Sequence, residues 1–477
     1  MAKDFALTAP DLALIIGGLL MTLVAAFAGE HRGRLLTWLG VAVLSVALVM
    51  LAGLRGIDAF AFGETVTVDA FAGLTRAVIY ASAIASLVFA PRYFRTEGYR
   101  PEFPVLVVLA TLGMGVMVSA RDLITLYVGL ELNSLASYVL ASFSRRDDRS
   151  SEAGLKYFVL GSLASGILLY GISLVYGFTG TTNLPALGAA IGSDASIGLL
   201  MGVVFVLAGL AFKISAAPFH MWTPDVYEGA PTPVVAFFAT APKIAATALL
   251  VRVCVEAMPA ATPAWSQIVT FLAVASMVIG SIGAIGQRNI KRLLAYSSIA
   301  NVGFILIGLA AGTAEGVAAV LFYLIIYAIM TFASFAALMM LRDDQDRPIE
   351  RMADLAGMWR KRPWLAAGLA VLMFSLAGIP PLFGFWPKLL VFTAAVNAKL
   401  VWLAVVGAVL SVVGAFYYLR VIKLMMFDEP SPVAMPVRAS VWEQGIVALA
   451  VLFVGVLGFA VIAPLDVITR NAAGALF

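Results

Sequence analysis

Charge is what this sequence has least of. Asp, Glu, Lys and Arg make up 12% of its 477 residues, while 62% are hydrophobic; a soluble domain carries about 25% charged residues. Mean hydropathy is +1.00. A soluble protein with a large core would need the missing charge on its surface, so that class is excluded. One cysteine, Cys254, and two histidines, His31 and His220, narrow the chemistry further. A cysteine-ligated iron–sulfur cluster needs four thiolates, and a bis-histidine haem or a histidine-rich metal centre lacks its ligands. Cys254 therefore reads as a small buried hydrophobe. No glycine-rich phosphate motif follows a strand, no stretch reads as strand, and no basic patch interleaves with aromatics. The net charge of +4 reflects loops, not a nucleic-acid partner.

What is present is a series of long apolar runs, each able to cross about 30 Å of hydrocarbon. Fourteen are expected, at 11–28, 35–53, 69–89, 104–119, 122–143, 153–177, 196–222, 231–256, 265–286, 292–311, 314–340, 363–398, 400–426 and 443–463. The start, MAKDF, balances Lys3 with Asp4 and shows no small-residue cleavage site, so the first run reads as a retained helix and not a signal peptide. Loops after odd-numbered runs, Arg438 among them, hold 20 Lys and Arg, and loops after even-numbered runs hold 3. The positive-inside rule then puts the odd loops in the cytoplasm and both termini outside.

Six basic residues remain within the runs: Arg76, Lys156, Lys213, Lys243, Arg252 and Lys388. Arg76 and Arg252 lie near helix ends and are expected to snorkel, and Lys156 can snorkel too. Asp69, at a helix start, reads as interfacial. Lys213 and Lys243 are deeper, within Gly209 to Arg252, where an apolar helix breaks around Pro218 and Pro224 and resumes after Pro231 and Pro233, with His220 at the break. Lys388 follows a second break, GIPPLFGFWPK, with Pro380, Pro381 and Pro387. Backbone leaves the helical form at membrane depth only where protein or a wet cavity satisfies it. Pro242 and Pro387 each precede a lysine and free a carbonyl one turn earlier, those of Phe238 and Phe383, to face an ammonium.

Glu131 stands ten residues after Arg121, about 15 Å along a helix, and so near mid-membrane. Either it serves a purely structural ion pair, which apolar residues replace with little loss, or it takes part in function. Breaks in the seventh and twelfth runs, five apart, suggest an inverted repeat with an ion path at its interface. Tyr127, Tyr323, Tyr327, Ser297 and Ser298 can line such a path or serve helix packing. One buried acid and several lysines on separate helices suit a proton relay. An ammonium taken out of water gives up its proton more readily, and a nearby carboxylate restores the hold. Moving a charge against 100 mV costs about 2.3 kcal/mol, and a swing of two pKa units supplies about 2.7 kcal/mol.

Three stretches, PFHMWTPDVYEGAPTPVVAFFATAPK, QRNIKRLLAYSSIANVGFILIGL and GIPPLFGFWPK, resemble the antiporter-like membrane subunits of respiratory complex I. Among these, the chain is similar to the N type of bacterial NADH–quinone oxidoreductase, equivalent to mitochondrial subunit 2. The resemblance implies an all-α polytopic fold of about fourteen helices with helices 7 and 12 broken. It implies helices 1–3 over residues 1–103, inverted five-helix repeats over 104–256 and 265–426, and a last helix and tail over 443–477. Carried over, Glu131 and Lys213 are the switching pair, Lys156 the sixth-helix lysine, Lys243 the central lysine and Lys388 the terminal one. His220, Asn301, Tyr323 and Tyr327 are possible accessories. Lysine in WPK fits the N type better than the M type, whose pattern has glutamate, and the chain ends without the lateral helix of the L type. SSIANVG sets Asn301 where the family often has histidine, and Asn cannot titrate.

The implied function is proton translocation coupled to quinone reduction, in the bacterial inner membrane. NADH, FMN, iron–sulfur clusters and quinone would bind partner subunits and no cofactor this chain. The partners would be a neighbouring antiporter-like subunit, small membrane subunits and lipids. A multi-subunit cation/proton antiporter shares this architecture, and an inert membrane scaffold with buried ion pairs is the other alternative.

Overall fold

The computed structural model describes residues 1–28, 32–95, 99–191, 196–433, 435–436 and 439–477; His31 and Arg438 lie outside the described residues. Apolar side chains and the absence of water in a bilayer leave the helix as the form in which each segment satisfies its own backbone. Among the described residues, thirteen helices are long and apolar enough to cross a membrane. We number spans in chain order: 1, Ala9–Ala28; 2, Gly33–Gly53; 3, Ala70–Tyr93; 4, Glu102–Ser119; 5, Leu123–Ala141; 6, Asp148–Thr179; 7, Ile197–Ile214. Span 8 runs from Thr232 to Glu256. Spans 9 to 11 are Thr262–Ile285, Ile290–Ala310 and Ala314–Met339. Span 13 is Val401–Met426, and span 14 runs Val441–Gly474 through one π-helical turn at Phe453–Leu457. Span 12 is two shorter helices, Pro363–Ala377 and Phe385–Asn397, which completes the fourteen expected.

The breaks differ in detail from the sequence expectation. Span 7 stops at Ile214, where Ser215 takes a left-handed conformation (φ 64°). The chain then passes a cis Ala217–Pro218 bond to a short helix, Trp222–Gly229. Span 8 is broken as well, between Phe238 and Ala241. Pro242 lacks an N–H to continue the ladder; at the break the Thr240 N–H turns to the Phe237 carbonyl, and its hydroxyl bonds to the Ala236 carbonyl at 2.8 Å. One stretch is strand after all: β1 (Ala59–Ala61) and β2 (Val66–Val68) form an antiparallel hairpin between spans 2 and 3. Gly63 and its neighbours Phe62 and Glu64, all at positive φ, close its turn.

Spans 8, 10 and 11 are almost wholly buried and form the centre of the molecule, whereas spans 1, 2, 6, 13 and 14 turn apolar faces outward. Close backbone contact sets span 5 on span 4: a Cβ on Gly113 would stand 2.6 Å from the Gly129 carbonyl. That contact fixes the face of span 5 two residues before Glu131.

One backbone device recurs five spans apart. Asp122 caps span 5, the Leu123 N–H bonds to the Thr182 carbonyl and the Leu184 N–H to the Arg121 carbonyl, both at 2.9 Å. Five spans on, Asn289 caps span 10, the Ile290 N–H bonds to the Glu350 carbonyl and the Met352 N–H to the Arg288 carbonyl, again at 2.9 Å.

Three charges expected at the interface are inside. Arg76 is 2% exposed and paired with Asp11 of span 1, with Tyr80 and Ser119 completing its donors. Arg252, 1% exposed, pairs with Asp69 at 2.7 Å and with Glu256. Asp69 also caps span 3 on the Ala72 N–H. These side chains do not snorkel because carboxylates on neighbouring elements meet them within the bundle, which a sequence pattern does not reveal.

A line of buried lysines as the candidate functional site

Lys213 occupies the last turn of span 7 and is 9% exposed. Its ammonium does not meet Glu131 directly. It donates to the Ser134 hydroxyl at 2.7 Å, and Ser134 in turn donates to the Leu130 carbonyl at 2.6 Å. Ser134 lies three residues after Glu131, hence on the same helical face. One carboxylate oxygen of Glu131 is buried without a protein partner. Lys213 is thus held on the same helical face as Glu131, through Ser134.

Lys243 is 2% exposed, in the first turn of the second half of span 8. Its ammonium reaches the carbonyl of Ile214 at 3.5 Å, over the Tyr227 ring at 5.8 Å. Lys388 is 6% exposed, in the first turn of the second half of span 12. It donates to the Ala377 carbonyl at 2.8 Å, the Leu376 carbonyl at 3.4 Å and the Ser411 hydroxyl at 2.9 Å. The Phe304 ring lies 4.7 Å away.

The carbonyls that face these lysines are thus not the ones expected from the prolines. The Phe383 carbonyl is occupied by the Trp386 N–H at 3.3 Å, and Lys243 turns to Ile214 rather than to Phe238. Both ammonium groups rest on the C-terminal end of a half-helix: Ile197–Ile214 for Lys243, Pro363–Ala377 for Lys388. Unpaired carbonyls there carry about half a negative charge, which favours a cation at a break in the apolar interior. Gly378 follows the second such end at φ 81°, and a Cβ on it would stand 3.0 Å from the Lys388 nitrogen.

Between Lys243 and Lys388 runs a hydrogen-bonded polar cluster on spans 10, 11 and 13. Tyr327 donates to Ser298 at 2.7 Å, and Tyr323 donates to the Asn301 side-chain oxygen at 2.8 Å. The Asn301 amide donates to the Ser297 carbonyl at 2.8 Å, and the Ser297 hydroxyl meets that of Tyr418. Tyr418 lies seven residues, or two turns, after Ser411, the partner of Lys388. The accessory residues Asn301, Tyr323 and Tyr327 are brought together.

Two expected residues stand apart. The Lys156 side chain is 42% exposed and pairs with Glu152 at 2.7 Å and Asp225 at 2.8 Å. Asp225 also pairs with Arg292 at 2.7 Å. Lys156 therefore belongs to a charged group at one end of span 6, away from Ser134 and Lys213. His220 is half-buried on the break, with one ring nitrogen enclosed and unpartnered, and bonds to none of the lysines. Sequence reasoning missed Ser134 and Ser411. Their spacing from Glu131 and Tyr418 was a signal, but serine is common in helix contacts and only packing decides which ones face a lysine.

Buried polar atoms without a protein partner lie near the same lysines: Tyr138, whose ring is 5.8 Å from Lys213, Tyr227, whose ring is 5.8 Å from Lys243, Ser215 beside Ile214, and Thr247 one turn after Lys243. Groups of this kind are ordinarily satisfied by water. Among the described residues no three His, Cys, Asp or Glu side chains could hold a metal ion.

Residues 120–414 match the family described as NADH:quinone oxidoreductase/Mrp antiporter, TM. The NADH-quinone oxidoreductase subunit N of Sphingopyxis alaskensis is 56% identical over the full length of both chains, and that of Rhizorhabdus wittichii is 55% identical, again over both full lengths. In respiratory complex I from Thermus thermophilus, one chain superposes with a TM-score of 0.81 at 34% identity, covering 95% of this chain and 98% of that one. A chain of the Mrp complex from Dietzia superposes with a TM-score of 0.87 at 23% identity, covering 98% and 97%; that likeness is one of fold.

Proposed function

The chain belongs to the subunit N family of NADH-quinone oxidoreductases, and on that premise we propose that Glu131, Lys213, Lys243 and Lys388 carry its protons. The chain is an antiporter-like membrane-arm subunit of respiratory complex I, a family whose work is proton translocation coupled to quinone reduction. The redox chemistry belongs to partner subunits, where NADH, FMN, iron–sulfur clusters and quinone bind; this chain moves protons. Residues 104–256 and 265–426 form its two units, with spans 1–3 and span 14 at their flanks. The basic loops lie on the cytoplasmic side of the bacterial inner membrane and both termini outside. Other membrane-arm subunits, one of them antiporter-like, cover part of the outward apolar surface, and lipid covers the rest.

One contrast carries this reading. The buried cations Arg76, Arg252 and Lys291 are each paired with a carboxylate. Lys213, Lys243 and Lys388 are also buried, yet hold only hydroxyls and carbonyls. A carboxylate partner locks the proton on for as long as it stays ionised; neutral acceptors leave the lysine free to release it.

Lys213 and Lys243 converge on one helix end, since the carbonyl that Lys243 holds is that of the next residue after Lys213. When Glu131 and Lys213 draw together, Lys213 keeps its proton; when they part, the proton passes towards Lys243. Tyr227, Ser298 and the cluster around Asn301 continue the line to Lys388 and Ser411. Asn301 orients neighbours in this line without taking a proton itself. Lys156 shapes the charge at the end of span 6.

The test is NADH-driven proton uptake by inverted membrane vesicles containing the assembled complex. Lys243→Ala is expected to lose the pumping this chain carries while other subunits still oxidise NADH. Parental pumping by that variant refutes the relay.

A further inference from the structure

A cavity of about 1510 Å³ opens among the basic loops, between the ends of spans 3, 9, 11 and 13 and the short helix Trp222–Gly229. In its wall lies a buried ion pair that the relay above does not use. Glu350, in the loop after span 11, holds Lys291, in the first turn of span 10, at 2.7 Å. Lys291 is 2% exposed, and its ammonium also donates to the Ala230 carbonyl at 2.9 Å. The other oxygen of Glu350 takes Arg149 at 3.2 Å, and Arg149 is itself near Asp147. Glu228 and Arg292 line the same cavity and pair with one another.

On its inner side the pair points at the relay. Ala230 is three residues from Tyr227, whose hydroxyl is buried and unpartnered and whose ring lies 5.8 Å from the Lys243 ammonium. Ser298, which accepts from Tyr327, lies seven residues along span 10 from Lys291, about 10 Å. The backbone does not require the charges. The corresponding device at span 5 has Ile124 in the place of Lys291 and Thr182 in the place of Glu350, with the same two backbone hydrogen bonds.

We propose that Glu350 and Lys291 are the intake pair through which protons from this cavity reach Tyr227, Ser298 and Lys243. The proposal rests on the relay reading. In one transfer Glu350 first takes a proton from the cavity and becomes neutral, which loosens its hold on Lys291; Lys291 then gives an Nζ proton to water on its inner side and becomes an amine. The proton that Glu350 has taken from the cavity then moves to that nitrogen. An ammonium and a carboxylate are restored, and one proton has moved inward.

Burial pushes the Glu350 carboxyl up, but Lys291 and then Arg149 outweigh it and hold the group below the usual carboxylate range. The Glu350 carboxylate is therefore ionised at neutral pH, and the pair is lost only as pH falls through that lowered value. Replacing Lys291 removes the main lowering charge and leaves burial, so the acid limb of activity moves to higher pH.

The experiment measures protons pumped per NADH in vesicles holding the assembled complex, across a pH series, for E350Q, E350D, K291M and K243A. The expected result is loss of this chain's share of pumping in E350Q and K291M, retention in E350D, and an acid limb moved upward in K291M. The swapped variant E350K with K291E keeps an ion pair but moves the carboxyl away from the cavity, and is expected to stay defective. Parental pumping in E350Q and K291M, or in the swapped variant, overturns the proposal. If K243A is defective while E350Q and K291M are parental, the intake pair alone fails; if K243A is also parental, the relay fails with it.

Discussion

Replacing Gly378 by Ala tests whether the position of one ammonium governs transport. Gly378 ends the first half of span 12 at φ 81°, where a residue with a Cβ costs about 1–2 kcal/mol. That Cβ would also stand 2.8 Å from Cδ, 3.1 Å from Cε and 3.0 Å from the nitrogen of Lys388. The side chain must withdraw, and its bonds to Ala377 at 2.8 Å and Ser411 at 2.9 Å go with it. A hydrogen bond to a charged group is worth about 1.5–3 kcal/mol. If one is lost at the step where Lys388 passes its proton, that step slows about ten- to a hundredfold, at 1.4 kcal/mol per decade. Assembly should survive, because the backbone cost alone is small for a chain with this much buried surface. The assay is proton pumping per NADH together with the amount of assembled complex. Gly378→Asn separates the two causes, since Asn accepts left-handed backbone more easily than Ala but carries the same Cβ. Equal defects in both variants indicate displacement of Lys388. A parental G378A, or a defect that Asn relieves, contradicts the argument that the ammonium must sit on this helix end.

Two further outcomes follow from the buried partners. Ser134→Ala removes the hydroxyl that holds the Lys213 ammonium, and turnover should fall roughly tenfold or more with assembly intact; turnover equal to the parent would mean that Ser134 is incidental. Asp69→Ala removes the cap on Ala72 and one of the two carboxylates of Arg252, at about 1 kcal/mol for the cap and about 3 kcal/mol or more for the broken buried pair. Asp69→Asn keeps the capping oxygen, so thermal inactivation of the complex should order as parent, then Asn, then Ala. Equal stability of all three would show that the Arg252 pair contributes nothing.

The sequence by itself determined the class and the count. Fourteen apolar runs were legible because a bilayer demands about twenty apolar residues per crossing, a requirement each segment meets locally. The breaks at Pro218 and Pro381 were legible for the same reason, since proline disrupts its own helix whatever surrounds it. Lys213, Lys243, Lys388 and Glu131 stood out because charge is so scarce in this chain. Tertiary structure alone decided which charges are locked and which are free. Arg76 and Arg252 looked like snorkelling residues near helix ends, yet Asp11 and Asp69 meet them inside the bundle. Lys156 looked like a relay member but lies among Glu152 and Asp225. Ser134 and Ser411 became lysine partners, and Ile214 and Ala377 their resting places, only when half-helices from distant parts of the chain were set end to face. Cost of burial is a property of one residue and its neighbours in sequence, whereas the partner that offsets the cost comes from across the fold.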